Sequence, residues 1–148
     1  MITIQSNLEE VLTTVHQKLS AVDVDKMTRL QATSLMAAMR QRIHVDGKAS
    51  DGGPIGAYSP AYVKYTRPKH GRLEGSKVVL SLTRTMENAM ILYPIPNGTG
   101  IGYSTSEQLQ KARWCEETYK KKIFSPTAGE RDMVNKIGEN YINEHFNA

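Results

Sequence analysis

The middle of this 148-residue chain holds a long stretch, residues 46–76, that has neither helical nor strand periodicity. It is rich in glycine, and its second half, residues 60–72, carries four cations and no acidic residue. A connection of this length without secondary structure is uncommon inside a compact domain, where it is usually functional or disordered. We therefore expect a single domain over residues 1–148, from which residues 46–76 extend as an arm that docks on another polypeptide.

The second half of the predicted arm mixes aromatic and basic side chains. Ser59 and Pro60 suit the start of a short helical turn, which would place the three tyrosines on one side. The candidate partner-binding residues are Tyr58, Tyr62, Tyr65, Lys64, Arg67, Lys69 and Arg72. Tyrosine and arginine are enriched at protein interfaces, but aromatics with cations also stack on bases and bind phosphate. Protein contact, a solvated loop and nucleic-acid contact all stay open.

Helical periodicity predicts two helices before the arm. A capping box from Ser6 to Glu9 begins the first helix, and Asp23 or Asp25 caps the second, which runs to about Ile43. The first helix has an apolar face made of Leu8, Val11, Leu12, Val15 and Leu19. The second has a stripe made of Met27, Leu30, Leu35, Met39 and Ile43. Three arginines of the second helix are expected in solvent, namely Arg29, Arg40 and Arg42.

Strand signals follow the arm. Residues 78–82 predict one short strand, and residues 90–95 and 99–104 predict a hairpin whose Asn97-Gly98 pair supplies the positive φ angles of the turn. A short helix fits residues 83–90. These patterns predict an α+β fold, in which a small antiparallel sheet with a β-hairpin packs against about four helices.

Two further capping boxes, Thr105 to Gln108 and Thr127 to Glu130, begin the last two helices. The inner face of the first is predicted at Leu109, Ala112, Cys115 or Glu116, and Tyr119. The inner face of the second is predicted at Met133, Val134, Ile137, Tyr141, Ile142 and Phe146.

Residues that carry chemistry are few and scattered. No two of the histidines at positions 16, 44, 70 and 145 have metal-ligand spacing. Cys115 lies near the inner face of a predicted helix, where a free cysteine is commonly a small buried hydrophobe. The Glu9-Glu10 and Glu116-Glu117 pairs fit solvated faces, and three spaced glycines at 98, 100 and 102 fit hairpin geometry. We expect no catalytic site, no metal or other cofactor, and no small-molecule substrate.

Charge and composition restrict the environment of the chain. The net charge of +4 permits contact with nucleic acid without requiring it. A single cysteine excludes an internal disulfide and favours a reducing compartment. The first ten residues lack a secretory signal, and no apolar run approaches the length of a membrane span. The sequence therefore predicts a protein made in the cytoplasm, away from membranes.

The order of several short motifs also carries a resemblance. A helix ending in Arg42-Ile43 leads to Asp51-Gly52-Gly53-Pro54 and then to Ser59-Pro60-Ala61-Tyr62. Residues 83–89 precede a hairpin that carries Ile101-Gly102. A helix with Ala112 near its start follows, and residues 122–127 then lead into a helix with Asp132 in its acidic beginning.

From about Leu35 onward, this order resembles the virion morphogenesis or tail completion proteins of tailed bacteriophages. The resemblance implies a non-enzymatic α+β subunit that forms a ring, commonly sixfold, around the DNA passage between capsid and tail. It implies contacts with copies of itself and with other neck or tail proteins, near DNA, first in the host cytoplasm and then in the virion. The alternative is a small nucleic-acid-binding accessory protein that uses the arm, and a hydrolase built on Cys115 ranks behind both.

Overall fold

A computed structural model describes residues 8–73 and 75–147. Their regular structure comprises α1 (Leu8–Ser20), α2 (Val24–His44), α3 (Thr85–Asn88), β1 (Met90–Ile95), β2 (Gly98–Tyr103), α4 (Ser106–Tyr119) and α5 (Ala128–Asn147). A π turn (Tyr62–Thr66) and a 3₁₀ turn (Arg67–His70) lie between α2 and α3. The predicted α+β class is confirmed.

Local capping explains where three of the helices begin. The Asp23 side chain accepts a hydrogen bond from the Lys26 amide at 2.9 Å and so starts α2, and Thr105 caps α4 in the same way. The capping box between Thr127 and Glu130 forms in both directions, as predicted. The box predicted for α1 begins at Ser6, which lies outside the described residues.

The hairpin prediction is confirmed, with a difference at the turn. Strands β1 and β2 are antiparallel, with Met90 opposite Tyr103 and Ile95 opposite Gly98. Only Pro96 and Asn97 therefore connect the strands, and Asn97 takes the positive φ of 56°. Gly98 is already the first residue of β2, so the turn is shifted by one residue from the predicted Asn-Gly position.

The third predicted strand, residues 78–82, is wrong. Leu80 adopts a left-handed φ of 42°, which breaks the extended conformation. Lys77 makes an isolated bridge to Ala57 instead of joining the hairpin. The apolar run exists because Val78 and Val79 are buried in the core, not because the segment pairs in a sheet.

Residues 46–58 are part of the body of the protein, so the prediction that they extend away from it is wrong. Ala49 is fully buried and Ile55 is 2% exposed. The central core cluster consists of Met39, Ile43, Ala49, Ile55, Val78, Met90 and Ile123. The stretch lacks periodicity because it reaches the core through turns, and its two buried apolar residues lie too far apart to give a helix or strand pattern.

Gly47 shows how tightly this segment is held. Its φ is +64°, and a Cβ there would overlap the carbonyl oxygen of Val78. Its own carbonyl oxygen accepts a hydrogen bond from the Ile55 amide at 2.9 Å. A side chain at position 47 would therefore be strained and would also collide with backbone.

Arg42 connects four parts of the chain, and the prediction that it is solvated is wrong. Its Nε donates to Glu130 of α5 at 2.7 Å. The remaining guanidinium nitrogens donate to the carbonyl oxygens of Lys48, Ile123 and Ser125, each at 3.0 Å. The side chain is buried because these acceptors replace water around its charge.

Two other side chains expected in solvent also have internal partners. Arg40 is half-buried and donates to the Met90 carbonyl oxygen at 2.8 Å. The Glu116 carboxylate accepts hydrogen bonds from the amides of Ile123 and Phe124, at 2.7 and 3.1 Å. Charged residues in a helix are normally assigned to solvent from sequence, and these lie where backbone groups need partners.

Candidate assembly surfaces

The apolar face of α1 is exposed. No residue of α1 is buried. The residues of the apolar face are 38–58% exposed, and they are Leu8, Val11, Leu12, Val15 and Leu19. Apart from the connection to α2, α1 is held by α5, where Lys18 donates to the carbonyl oxygen of Phe146. The face leaves roughly 400 Å² of apolar surface in water, which is the size of the largest patch on a typical monomer. Patches of that size are often functional.

The outer face of the hairpin is a second apolar surface. Alternation along β1 places Ile91, Tyr93 and Ile95 on one side of the sheet, and each is more than a third exposed. The Tyr93 ring lies across the strand over Gly100 and Gly102, where an added Cβ would approach ring atoms to 2.5 and 2.9 Å. The spaced glycines of β2 thus make room for this aromatic ring, beyond the hairpin geometry predicted for them.

A groove of about 540 Å³ forms between α2, the hairpin, the start of α4 and α5. Its lining residues are Thr28, Gln31, Ala32, Leu35, Met39, Met90, Ile95, Gly98, Thr99, Ile101, Gly102, Tyr103, Leu109, Phe124, Pro126 and Val134. None of these side chains carries a charge. We refer to this surface as the apolar groove.

Four of the seven predicted partner-binding residues pack on their own chain. The Tyr58 ring lies 5.0 Å from the Tyr62 ring and 4.6 Å from the guanidinium carbon of Arg67. Arg67 is fully buried. Arg72 donates to the hydroxyl of Ser81 at 3.0 Å and also to the Leu82 carbonyl oxygen.

The other three predicted partner-binding residues remain at the surface. Lys64, Tyr65 and Lys69 are exposed, and the Lys64 ammonium lies 5.2 Å from the centre of the Tyr65 ring. Ser59 accepts a hydrogen bond from the Tyr62 amide, as its predicted role at the start of the turn requires. The set expected to act as one gripping surface is therefore divided, with both arginines on the inner side.

Residues 57–62 also form one wall of a second groove of about 680 Å³, which α4 and residues 80–86 complete. Cys115 lines it, and burial together with the neighbouring Glu116 raises the pKa of its thiol. A thiol that stays protonated is a weak nucleophile. Among the described residues that line this groove there is no histidine, aspartate or glutamate, and Gln108 is buried with its side-chain oxygen lacking a hydrogen-bond partner.

The histidines are dispersed in the structure. His44 is buried, and its Nδ1 lies 3.1 Å from the carbonyl oxygen of Leu80. Burial lowers its pKa below the ordinary value of 6.5. His16 and His70 are exposed, and His145 stacks on Tyr141 with ring centres 4.4 Å apart. In residues 8–73 and 75–147, no three histidine, cysteine, aspartate or glutamate side chains cluster as metal ligands would.

Sequence reasoning identified the apolar residues of α1 but not their exposure. A stripe at helical spacing shows which residues share a face, and nothing local shows what that face touches. The strand pattern of residues 90–95 likewise predicted the hairpin without showing that its outer side is apolar. The arm drew attention through its composition, although the exposed apolar surfaces lie elsewhere.

Within the described part of the chain, no helix is both long enough and apolar enough to cross a membrane. No family model, no curated protein and no solved structure matches the chain.

Proposed function

We propose that this protein is a structural subunit of a tailed-bacteriophage virion, which assembles with its own copies into a ring at the head–tail junction. The observation that carries the proposal is the exposed apolar face of α1. The helix contributes no buried residue to its own chain, yet its apolar residues keep strict helical spacing. Such a face is what a helix presents to a partner.

A ring subunit needs two different contact surfaces, because each copy meets one neighbour on either side through unlike patches. This chain has more than one candidate. The α1 face is one surface, and the hairpin borders two others: its outer face, with Ile91, Tyr93 and Ile95, and the apolar groove, which Ile95 also lines. Separate apolar surfaces favour a head-to-tail assembly over a simple pair.

The resemblance of the motif order to the tail completion proteins supplies the biological setting. It implies a ring around the DNA passage with other neck or tail proteins as neighbours, and assembly in the host cytoplasm before incorporation into the virion. The modest net charge of +4 suits a channel component, because a strongly basic wall would hold DNA tightly and slow its passage. The arm contributes less than its composition indicated, since three of its seven candidate partner-binding residues are exposed, namely Lys64, Tyr65 and Lys69.

Deletion of the gene from the phage that carries it tests this role. If the protein joins heads to tails, lysates of the deletion mutant will contain DNA-filled heads and separate tails, and infectious particles will be lost. Electron microscopy of the lysate and plaque counts measure both effects. Normal infectious particles from the deletion mutant would refute the proposal.

Complementation connects the phenotype to α1. Leu12 is 57% exposed, so a Leu12→Glu variant places a charge on the apolar face without opening the core. We expect this variant to fail to restore plaques. Gln17→Glu adds the same charge to the polar side of α1 and should restore them, which controls for charge and expression.

A further inference from the structure

The geometry points to a specific acceptor for α1: the apolar face of α1 in one copy docks into the apolar groove of the next copy. This inference rests on the proposed function, since it specifies how the subunits of the ring meet. The occupant of the groove is a second copy of this chain.

The two surfaces match in chemistry. The face of α1 presents Leu8, Leu12, Val15 and Leu19 at i, i+4, i+7 and i+11 spacing, which is the anchor pattern of an amphipathic helix that binds in a groove. The lining of the apolar groove is mainly aliphatic, aromatic and small, its polar members Thr28, Gln31, Thr99 and Tyr103 are uncharged, and it has no charged side chain. Because neither the helix face nor the groove carries a charge, their contact buries no unpaired charge.

The two surfaces also lie apart on the same chain. The groove is lined by Val134 near the start of α5, whereas α1 is attached near its end, at Phe146. At 1.5 Å per residue these two points are about 18 Å apart along α5. Surfaces that are complementary but separate generate head-to-tail contacts, which close into a ring when the rotation permits.

The apolar face of α1 supplies most, but not all, of the area that a stable contact needs. Covering the α1 face removes roughly 400 Å² from water on one copy and a similar area on the other, against the roughly 1,200 Å² at which stable interfaces begin. The apolar centre therefore supplies about two thirds of that minimum, and the polar residues of α1 beside the face provide the rim.

A mixing experiment with full-length variants tests this arrangement. Leu12→Glu blocks the α1 face but leaves the groove intact. Leu109→Glu blocks the groove at a residue that is 40% exposed and leaves the α1 face intact. We expect each variant alone to have the monomer mass of 16.5 kDa by light scattering, and the equimolar mixture to form a dimer of twice that mass. Only one productive contact exists in the mixture, so the dimer cannot grow further.

Matched controls separate docking from folding. Gln17→Glu on α1 and Gln110→Glu on α4 introduce the same charge outside both surfaces, and both should keep the wild-type mass. Circular dichroism and thermal unfolding should show that Leu12→Glu and Leu109→Glu are folded. Crosslinking then tests the contact directly. In a Cys115→Ser variant, a photoreactive group attached to a cysteine introduced at position 15 should label residues of the groove on another copy.

Several outcomes would overturn the inference. If Leu109→Glu keeps the wild-type mass, the groove is not used, and any ring forms by another surface, such as α1 against α1. A mixture that stays monomeric, or a wild-type chain that is itself monomeric, also refutes it. The virion role is judged separately: a mixture that dimerises while the gene deletion leaves normal particles supports the docking and refutes the role.

Discussion

Replacing Arg42 with methionine should destabilise the protein severely, because Arg42 holds together α2, residues 46–58, the connection before α5, and α5 itself. The substitution keeps the aliphatic volume of the side chain and removes the guanidinium. Glu130 then keeps its bond from the Thr127 amide at 2.8 Å but loses its buried countercharge. The carbonyl oxygens that accepted from Arg42 lose a donor as well.

The magnitude follows from these partners. Removing one member of a buried ion pair costs about 3–5 kcal/mol, because the remaining charge is left uncompensated. The total stability of a domain is about 5–15 kcal/mol, so the variant should lose about a fifth of it or more. Glu130→Gln should cost less, about 1.5–3 kcal/mol, because Arg42 retains carbonyl acceptors and a glutamine still caps α5.

Urea unfolding followed by far-UV circular dichroism measures both variants and their combination. We expect strong non-additivity: once Arg42 is methionine, Glu130→Gln should cost almost nothing or restore stability, because it removes the stranded charge. Arg131→Met is the matched control, since Arg131 is the exposed neighbour on α5 and its loss should change the free energy of unfolding by less than about 0.5 kcal/mol.

A loss below about 1 kcal/mol for Arg42→Met, or simple additivity with Glu130→Gln, would refute this account of the buried pair. Hydrogen exchange gives a second measurement. The Lys48 amide donates to the Arg42 carbonyl oxygen, and the amides of Ala49 and Ile55 donate within residues 46–58. All three should lose protection in Arg42→Met ahead of the hairpin amides.

Three further predictions concern single positions. Gly47→Ala should lower the free energy of unfolding in urea by at least about 3 kcal/mol, since left-handed strain adds to a backbone collision. Gly52→Ala, at φ +81° in open space, should cost only the strain of about 1–2 kcal/mol. Equal losses would contradict the packing of residues 46–58. Burial lowers the pKa of His44 below 6.5, so the unfolded state binds the proton more readily than the folded state. The free energy of unfolding should therefore be highest above about pH 6.5 and should fall as the pH drops through that value towards the folded pKa. His44→Asn should flatten that dependence and exposed His70→Gln should not; the reverse result would exclude His44 as its source. Because burial raises the pKa of the Cys115 thiol, iodoacetamide at pH 8 should label the folded protein more slowly than the urea-unfolded chain, and equal rates would show that the thiol is open.

The helices and the hairpin were predictable because their signals are local. Thr127 and Glu130 are three residues apart and cap each other whatever the rest of the chain does. Likewise, Asn97 favours the positive φ that the two-residue turn requires. Signals of this kind are contained within one turn of structure, so sequence alone reveals them.

The features that were predicted incorrectly depend on contacts between residues far apart in sequence. Arg42 looks like any other surface arginine until Glu130, 88 positions away, provides its acceptor. Residues 46–58 look unstructured because their order comes from turns and from burial of Ala49 and Ile55, which have no period. The apolar run at 78–82 resembles a strand in sequence because it contains buried core residues, although it does not pair in a sheet.

The residues of the α1 face could be predicted from the sequence, whereas its exposure and the apolar groove could not. The apolar stripe of α1 is visible in the sequence, but whether it faces its own core depends on where the other helices lie. The apolar groove could not be predicted, since its lining comes from five separate parts of the chain. The interpretation of the arm relied on composition, and composition does not show that Arg67 and Arg72 point inward.

Native mass spectrometry of the purified wild-type chain gives the most direct test of whether the face of α1 is covered by another copy. The proposed assembly requires one closed species whose mass is a whole multiple of 16.5 kDa, accompanied by protection of the α1 amides in hydrogen exchange. A single species of 16.5 kDa at every concentration, with α1 exchanging freely, would contradict it.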